Sequence, residues 1–222
     1  MLLQQIVLGL RDGSLFSLIA LGLVIVFKTT GVVNFAYGSM GMFSCYLTFT
    51  FYSILGVPFY VSILVGLVFA LFIGILTERY LLRPVRHLSH SAMLIITLGI
   101  TMVLEGLALF IWKQDYQSLP NLMSGRPFVL KLQDSFLVIS RQDLLIFVIT
   151  GFTVFGTFFY LKYAKLGLAI RASSQNEEAA KLMGIKVGSV YSFAWGFGTL
   201  LSALAAILAA PKTNIHPNMM LN

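Results

Sequence analysis

Two stretches and one isolated acid carry the residue types that could do chemistry in this 222-residue chain. The first stretch places Gly31, Asn34, Gly38 and Gly41 inside or beside a long apolar run. Glycine and asparagine weaken a helix there. A broken helix at membrane depth is tolerated only where it is buried in protein or lines a cavity. The N–H groups freed near Asn34–Tyr37 would suit a carboxylate, as half-helix N-termini do in transporters. Phe35 or Tyr37 would supply an apolar wall. Asn34, Phe35, Tyr37, Gly38 and Ser39 are therefore candidate path residues. The competing reading is a plain turn at a membrane surface, which Lys28 and Thr29-Thr30 support. The isolated acid is Glu105, inside the apolar run 92–112. Intramembrane acids are functional candidates by default, but Glu105 is also near enough to one end of its run to reach interfacial water.

The second stretch is "RASSQNEEAAKLMGIKVG", residues 171–188, charged and helix-shaped in an otherwise oily chain. Ser174 followed by Glu177 has the S-x-x-E spacing of a capping box. Glu177 and Glu178 fall in the first turn, where the helix dipole favours anions. Gly184 follows the periodic part and suits a left-handed C′ position. These signals predict a short helix over 175–183. Ala179 and Met183 share one face, with Ala180 and Leu182 nearby. That face either docks on a partner or lies flat on the membrane.

Enzymatic chemistry has no foothold. There is no H-E-x-x-H, no G-x-S-x-G and no G-x-x-x-x-G-K-[ST] in the chain. His87 and His90 lie in a basic loop and His216 stands apart. Cys45 is the only cysteine, so no intrachain disulfide and no Cys/His ligand spacing exists. The sequence implies no cofactor and no metal. An ATP site of the P-loop type would have to lie on another polypeptide.

The elements that position these residues are membrane helices. Hydrophobic residues make up 58% of the chain and charged ones 10%, against about 25% charged in a soluble domain. A bilayer core needs about 20 apolar residues of helix. Segments 32–52, 57–76, 92–112 and 190–210 qualify, and 144–161 is slightly short. Residues 14–27 are too short alone, and extension back to Leu2 brings in Arg11 and Asp12. The expectation is an all-α polytopic bundle of about six hydrophobic helices, one of them broken or re-entrant. Arg11 and Asp12, adjacent in sequence, are not expected to face each other. Residues 127–140 contain two β-branched or apolar runs around Gln133-Asp134, which read as a hairpin or as an irregular loop.

Of the fifteen Lys and Arg, nine fall on one side of this scheme and five on the other, with Arg11 unassigned. The positive-inside rule places the nine in the cytoplasm. It puts 171–188 inside, and the connection 113–140 and both termini outside. The net charge of +7 is thus a topology signal, because a nucleic-acid footprint would need one clustered patch. Ala194, Gly198, Ser202, Ala206 and Ala210 recur every four residues, and Gly66, Ala70 and Gly74 repeat the device. Small side chains at this spacing let helices approach closely in lipid, within the chain or against another subunit.

"EAAKLMG", with Glu178, Ala179, Ala180, Met183 and Gly184, resembles the EAA-x-x-x-G loop of ABC importer permeases. "KTTGVVNFAYGSMGMFSCYL" (28–47) resembles the N-F-A-H-G segment of the branched-chain amino acid permeases, the hydrophobic amino acid uptake group. "ERYLLRPVRH" (78–87) and "GLAIRASSQNEEAAKLMGIKV" (167–187) are similar to that family's first cytoplasmic loop and coupling loop. The order and spacing match over nearly the whole chain. Three departures stand out. Tyr37 replaces the usual His, Ser39 replaces a frequent Glu, and the I-x-L-P continuation of the coupling loop is missing.

The resemblance implies a single permease domain over 1–222 in the inner membrane, importing branched-chain or other hydrophobic amino acids by alternating access. It implies cytoplasmic ATPase subunits docked on Glu178–Gly184, a second permease subunit and an external substrate-binding protein. It also implies further helices beyond the equivalent of Asn222, and so a C-terminally shortened permease. The alternative is an ATP-independent secondary transporter, which would need ionisable residues in its path and has only Glu105.

Overall fold

The computed structural model describes residues 2–86, 90–113, 117–132, 135–217 and 219, with backbone alone at 90, 130–132 and 135–136. Helix α1 runs unbroken over Leu2–Thr30. It absorbs the short 14–27 segment and carries Arg11 and Asp12 within it. Helix α2 spans Tyr37–Phe49 and continues as a π turn over Thr50–Ile54. Helix α3 spans Phe59–Leu76 and continues through a π segment, Thr77–Leu82, and a 3₁₀ turn, Arg83–Val85. Then come α4 (His90–Trp112), β1 (Phe128–Leu132), β2 (Ser135–Ile139), α5 (Arg141–Tyr163), α6 (Lys165–Gln175), α7 (Glu177–Leu182) and α8 (Val187–Thr213).

Among the described residues, α1, the continuous α3 segment, α4, α5 and α8 are long and apolar enough to cross a membrane. The sixth hydrophobic helix, α2, is shorter. The expected 32–52 span begins only at Tyr37, because residues 31–36 leave helical geometry.

Helix α8 is the axle. Its apolar span is largely buried, whereas those of α1, α3, α4 and α5 are mostly uncovered. Phe110 on α4 is 85% exposed and Phe152 on α5 is 81% exposed. Large apolar side chains facing outward on a ring of helices fit a hydrocarbon solvent. In lipid, close packing has to replace hydrophobic drive, and small residues supply it. Ala194, Gly198, Ser202, Ala206 and Ala210 are all buried within this chain. A Cβ on Gly41 of α2 would sit 2.9 Å from the Ser202 backbone carbonyl. Gly66 and Gly74 on α3 play the same part, Gly66 against Ser44 and Thr48 of α2 and Gly74 against Trp195 and Gly196 of α8.

The two ends of the bundle differ. At one end β1 and β2 form the antiparallel hairpin, in register from Phe128↔Ile139 to Leu132↔Ser135. The Gln133-Asp134 tip lies outside the described residues. Gln4 of α1 closes the edge of β2, accepting from the Val138 N–H at 2.9 Å and donating to its carbonyl at 3.0 Å. Ser140 and Asp143 form a reciprocal capping box at the start of α5. Asp143 also holds Lys212 from the end of α8, and Arg11 lies 3.9 Å away. Contrary to expectation, Arg11 and Asp12 do meet, at 2.7 Å, because the long guanidinium stem folds back over its neighbour. At the other end, α6 and α7 form a short helical corner between α5 and α8.

Candidate functional site

The break between α1 and α2 begins with glycine. Gly31 has φ +71 and its N–H closes the last turn of α1 onto the Phe27 carbonyl at 2.8 Å. Thr29 and Thr30 bond back to the Ile25 and Val26 carbonyls at 2.6 and 2.8 Å, so they finish α1. Asn34 then builds the turn into α2. Its Oδ1 accepts the Ala36 N–H at 3.0 Å and its carbonyl accepts the Tyr37 N–H at 3.3 Å. The Phe35 N–H donates to Thr97 Oγ1 of α4 at 3.3 Å. Gly38 and Ser39 follow in the first turn of α2, where helix geometry leaves N–H groups without intrahelical partners.

The depth of this turn is set by α8. Ser202 Oγ donates to the Tyr37 carbonyl at 2.8 Å. At 1.5 Å per residue, Ser202 lies about 22 Å along α8 from Val187, near the middle of a helix about 40 Å long. Helix α2 therefore starts beside the middle of a spanning helix. A simple turn at the bundle end would have placed it beside one terminus of α8.

A cavity of about 260 Å³ opens at this point. Asn34, Phe35, Tyr37, Gly38 and Ser39 all border it, and Glu105 of α4 faces them. Ile19, Leu23 and Val33 make its wall mostly apolar. Ser39 Oγ donates to Glu105 Oε1 at 3.1 Å. The five sequence candidates are thus brought together, and Glu105 joins them. Their surroundings differ. Phe35 is half exposed, whereas Asn34 and Tyr37 are each 2% exposed. The Tyr37 ring is wedged between α1 and α8, where a Cβ on Gly22 would come within 2.9 Å of Tyr37 Cζ.

The corner helix α7 has a different cap from the one its sequence suggests. Asn176 is the N-cap, accepting the Ala179 N–H on Oδ1 at 2.9 Å. Ser174 lies inside α6 and bonds back to the Arg171 carbonyl at 2.9 Å. Helix α6 runs to Gln175, so the chain becomes extended, and able to cap, only at Asn176. The C-terminal reading holds: Gly184 has φ +81. Its N–H reaches the Lys181 carbonyl and the Ile185 N–H reaches that of Ala180, both at 3.0 Å. This is a Schellman ending.

The predicted shared face of α7 divides in two. Ala180 is buried with Ile170, Val187 and Val190. Glu178 and Ala179 are exposed, and Leu182 and Met183 are 89% and 83% exposed. Ala180 therefore anchors the helix, and its neighbours present an unpartnered apolar tip.

A polar network, not expected from the sequence, ties α7 to the bundle. Tyr191 Oη donates to Glu177 at 3.1 Å, and Lys181 pairs with Glu177 at 2.8 Å. The Lys181 hydrogen bond, with that of Tyr191 and the charges of Lys181 and Arg86, holds the Glu177 carboxyl below the usual range against partial burial. The Arg86 guanidinium lies 4.0 Å over the Tyr191 ring. Arg86 also reaches Glu78 at 2.8 Å, and Arg83 does so at 2.7 Å. Glu78 is fully buried, accepts Ser192 Oγ at 2.5 Å, and shares Arg83 with the Gly188 carbonyl. Its one legible signal is an acid at the end of an apolar run followed by three arginines, since Ser192 is 114 residues away.

These features define a polytopic helical membrane protein with a half-length helix opening onto a cavity in mid-bundle. A family described as "Branched-chain amino acid transport system / permease component" matches residues 5–222. The chain belongs to that family. It is 31% identical over 218 residues to the high-affinity branched-chain amino acid transport system permease protein BraD of Pseudomonas aeruginosa, covering 93% of this chain and 70% of that protein. It is 27% identical over 214 residues to LivH of Salmonella typhimurium, with the same coverage. A probable LivH of Methanocaldococcus jannaschii is 30% identical over 217 residues, covering 92% of this chain and 65% of the relative. No solved structure matches the chain.

Proposed function

We propose that the chain is the membrane-spanning permease subunit of an ATP-driven importer for branched-chain or other hydrophobic amino acids. The observation that carries this reading is the cavity at the start of α2. It joins an apolar wall to a helix start beside the middle of α8. An aliphatic side chain suits the wall, and a carboxylate suits the N–H groups of Gly38 and Ser39. The names of the relatives support the same substrate class. ATP would be hydrolysed on separate cytoplasmic subunits docked at α7, whose Leu182 and Met183 stand uncovered. A second permease subunit and an external binding protein would complete the importer. The α7 end of the bundle would face the cytoplasm and the hairpin end the exterior.

Uptake of labelled leucine into proteoliposomes holding the whole transporter tests this. Asn34→Leu removes the turn-forming carboxamide and is expected to impair uptake. Asn34→Asp keeps an acceptor for the Ala36 N–H and should retain more of it. Wild-type uptake by Asn34→Leu would reduce the segment to a packing turn. Orientation is tested by cysteines at Ser118 and Ser174, both exposed, with the native Cys45 buried. Labelling of both from one side would overturn the assignment. Glu105 in the cavity is the one observation that favours a secondary transporter. Uptake that persists without ATP and follows a proton gradient would select that reading.

A further inference from the structure

We infer that Glu105 is the acceptor for the α-ammonium group of the transported amino acid, so that the cavity recognises the zwitterion. The inference rests on reading the cavity as the substrate path. Glu105 lies within the apolar helix Ser91–Trp112, where a carboxylate needs a counter-charge or a full set of donors. Three other acids have theirs. Glu78 holds Arg83 and Arg86, Asp143 holds Lys212, and Glu177 holds Lys181. Glu105 has the Ser39 hydroxyl at 3.1 Å and, among the described residues, no Lys, Arg or His within ion-pair distance. An ionised carboxylate has about four acceptor positions, the Ser39 hydroxyl takes one of them, and Glu105 lines the cavity.

Ser39 sets the geometry of the pair of charges. Its hydroxyl holds Glu105, while its N–H belongs to the free first turn of α2. An acceptor for a cation and a donor for an anion therefore meet at a single residue. An α-amino acid likewise carries its ammonium and carboxylate close together, on one carbon and its neighbour. Phe35, Ile19 and Leu23 line the same space and would take an aliphatic side chain. A molecule with the side chain and carboxylate but no ammonium would cover the part-buried Glu105 and leave it without a counter-charge. Such an omission is penalised more heavily than a lost apolar contact.

The test is equilibrium binding of labelled leucine to the purified full-length chain in its transporter complex. The competitors are unlabelled leucine, its 2-oxo acid analogue, which lacks the ammonium, and 3-methylbutylamine, which lacks the carboxylate. The wild type should prefer leucine to the 2-oxo acid at least about tenfold, the usual scale of a charge-assisted hydrogen bond. Glu105→Gln should lose about tenfold or more in leucine affinity and leave that of the 2-oxo acid unchanged, erasing the preference. Glu105→Asp, which keeps the charge on a shorter stem, should restore part of it. Unchanged leucine affinity in Glu105→Gln overturns the inference. An equal fall for leucine and the 2-oxo acid also overturns it, since that marks a structural role. Failure of the wild type to bind leucine would instead remove the reading of the cavity, and this inference with it.

Discussion

Tyr191 of α8 donates its phenol proton to Glu177 of α7 at 3.1 Å, across the corner where the short helix meets the bundle axle. Helix α7 has only six residues, too few to persist on its own propensity. Its position therefore depends on Ala180 beneath it, the Schellman turn after it and this hydrogen bond. Tyr191→Phe keeps the ring under Arg86 and deletes only the hydroxyl. Amide exchange across Ala179–Ile185 should become faster, and the remainder of α8 should be unaffected. If α7 is the docking element, the same variant should lower substrate-stimulated ATP hydrolysis more than basal hydrolysis. Unaltered exchange in Ala179–Ile185 would show that Tyr191 does not hold the helix.

The same site has a pH signature. Glu177 is held below the ordinary glutamate range, so its proton is bound more weakly in the folded chain than in the unfolded one. Its contribution is fully present above the unfolded value, about 4.3, and is lost as pH falls through the folded value. Exchange protection of α7 should therefore be flat through neutral pH and fall only on acidification below that range. In Glu177→Gln the acid limb should disappear. Loss of protection between pH 6 and about 8, outside the carboxylate range, would contradict this.

Gly22 and Tyr37 are a matched pair. A methyl group on Gly22 would collide with the Tyr37 hydroxyl and approach its Cζ within 2.9 Å. Gly22→Ala should thus destabilise the bundle by about 1–3 kcal/mol, the usual range for overpacking. Tyr37 Oη is itself buried and, among the described residues, has no hydrogen-bond partner. Tyr37→Phe should be neutral or stabilising, because it removes an unsatisfied group. Gly22→Ala with Tyr37→Phe should recover part of the loss. Thermal unfolding in detergent reads all three, and strictly additive effects would show that the two residues do not meet.

Glu78 is the buried centre of charge at the α7 end. Glu78→Ala leaves Arg83, Arg86 and Ser192 without their common acceptor. Removing one partner of a buried pair costs about 3–5 kcal/mol, and the partial exposure of both arginines places this case at the low end. Glu78→Gln keeps the volume and one acceptor oxygen, and should lose less. A Tm for Glu78→Ala equal to that of the wild type would show that the network contributes nothing.

Features that depend on the local solvent of a segment were legible in the residues themselves. Apolar runs marked the helices, because a backbone in lipid has to satisfy its own hydrogen bonds. Gly31 and Asn34 marked the break, and Gly184 marked a left-handed helix end. The two runs around Gln133-Asp134 paired as strands. The cap of α7 was misplaced by two residues, because Ser174 and Asn176 are both good caps and only the length of α6 chooses between them. Partnerships between distant segments could not be read in the same way. Ser39 meets Glu105 across 66 residues and Glu78 meets Ser192 across 114. Such pairs depend on which faces of α2, α3, α4 and α8 pack together, and many helix rotations bury the same apolar surface equally well in lipid. Composition determined that these helices enter the membrane. The close approach of small residues on α8 to Gly41 and Gly74 decided which polar side chains would find one another inside it.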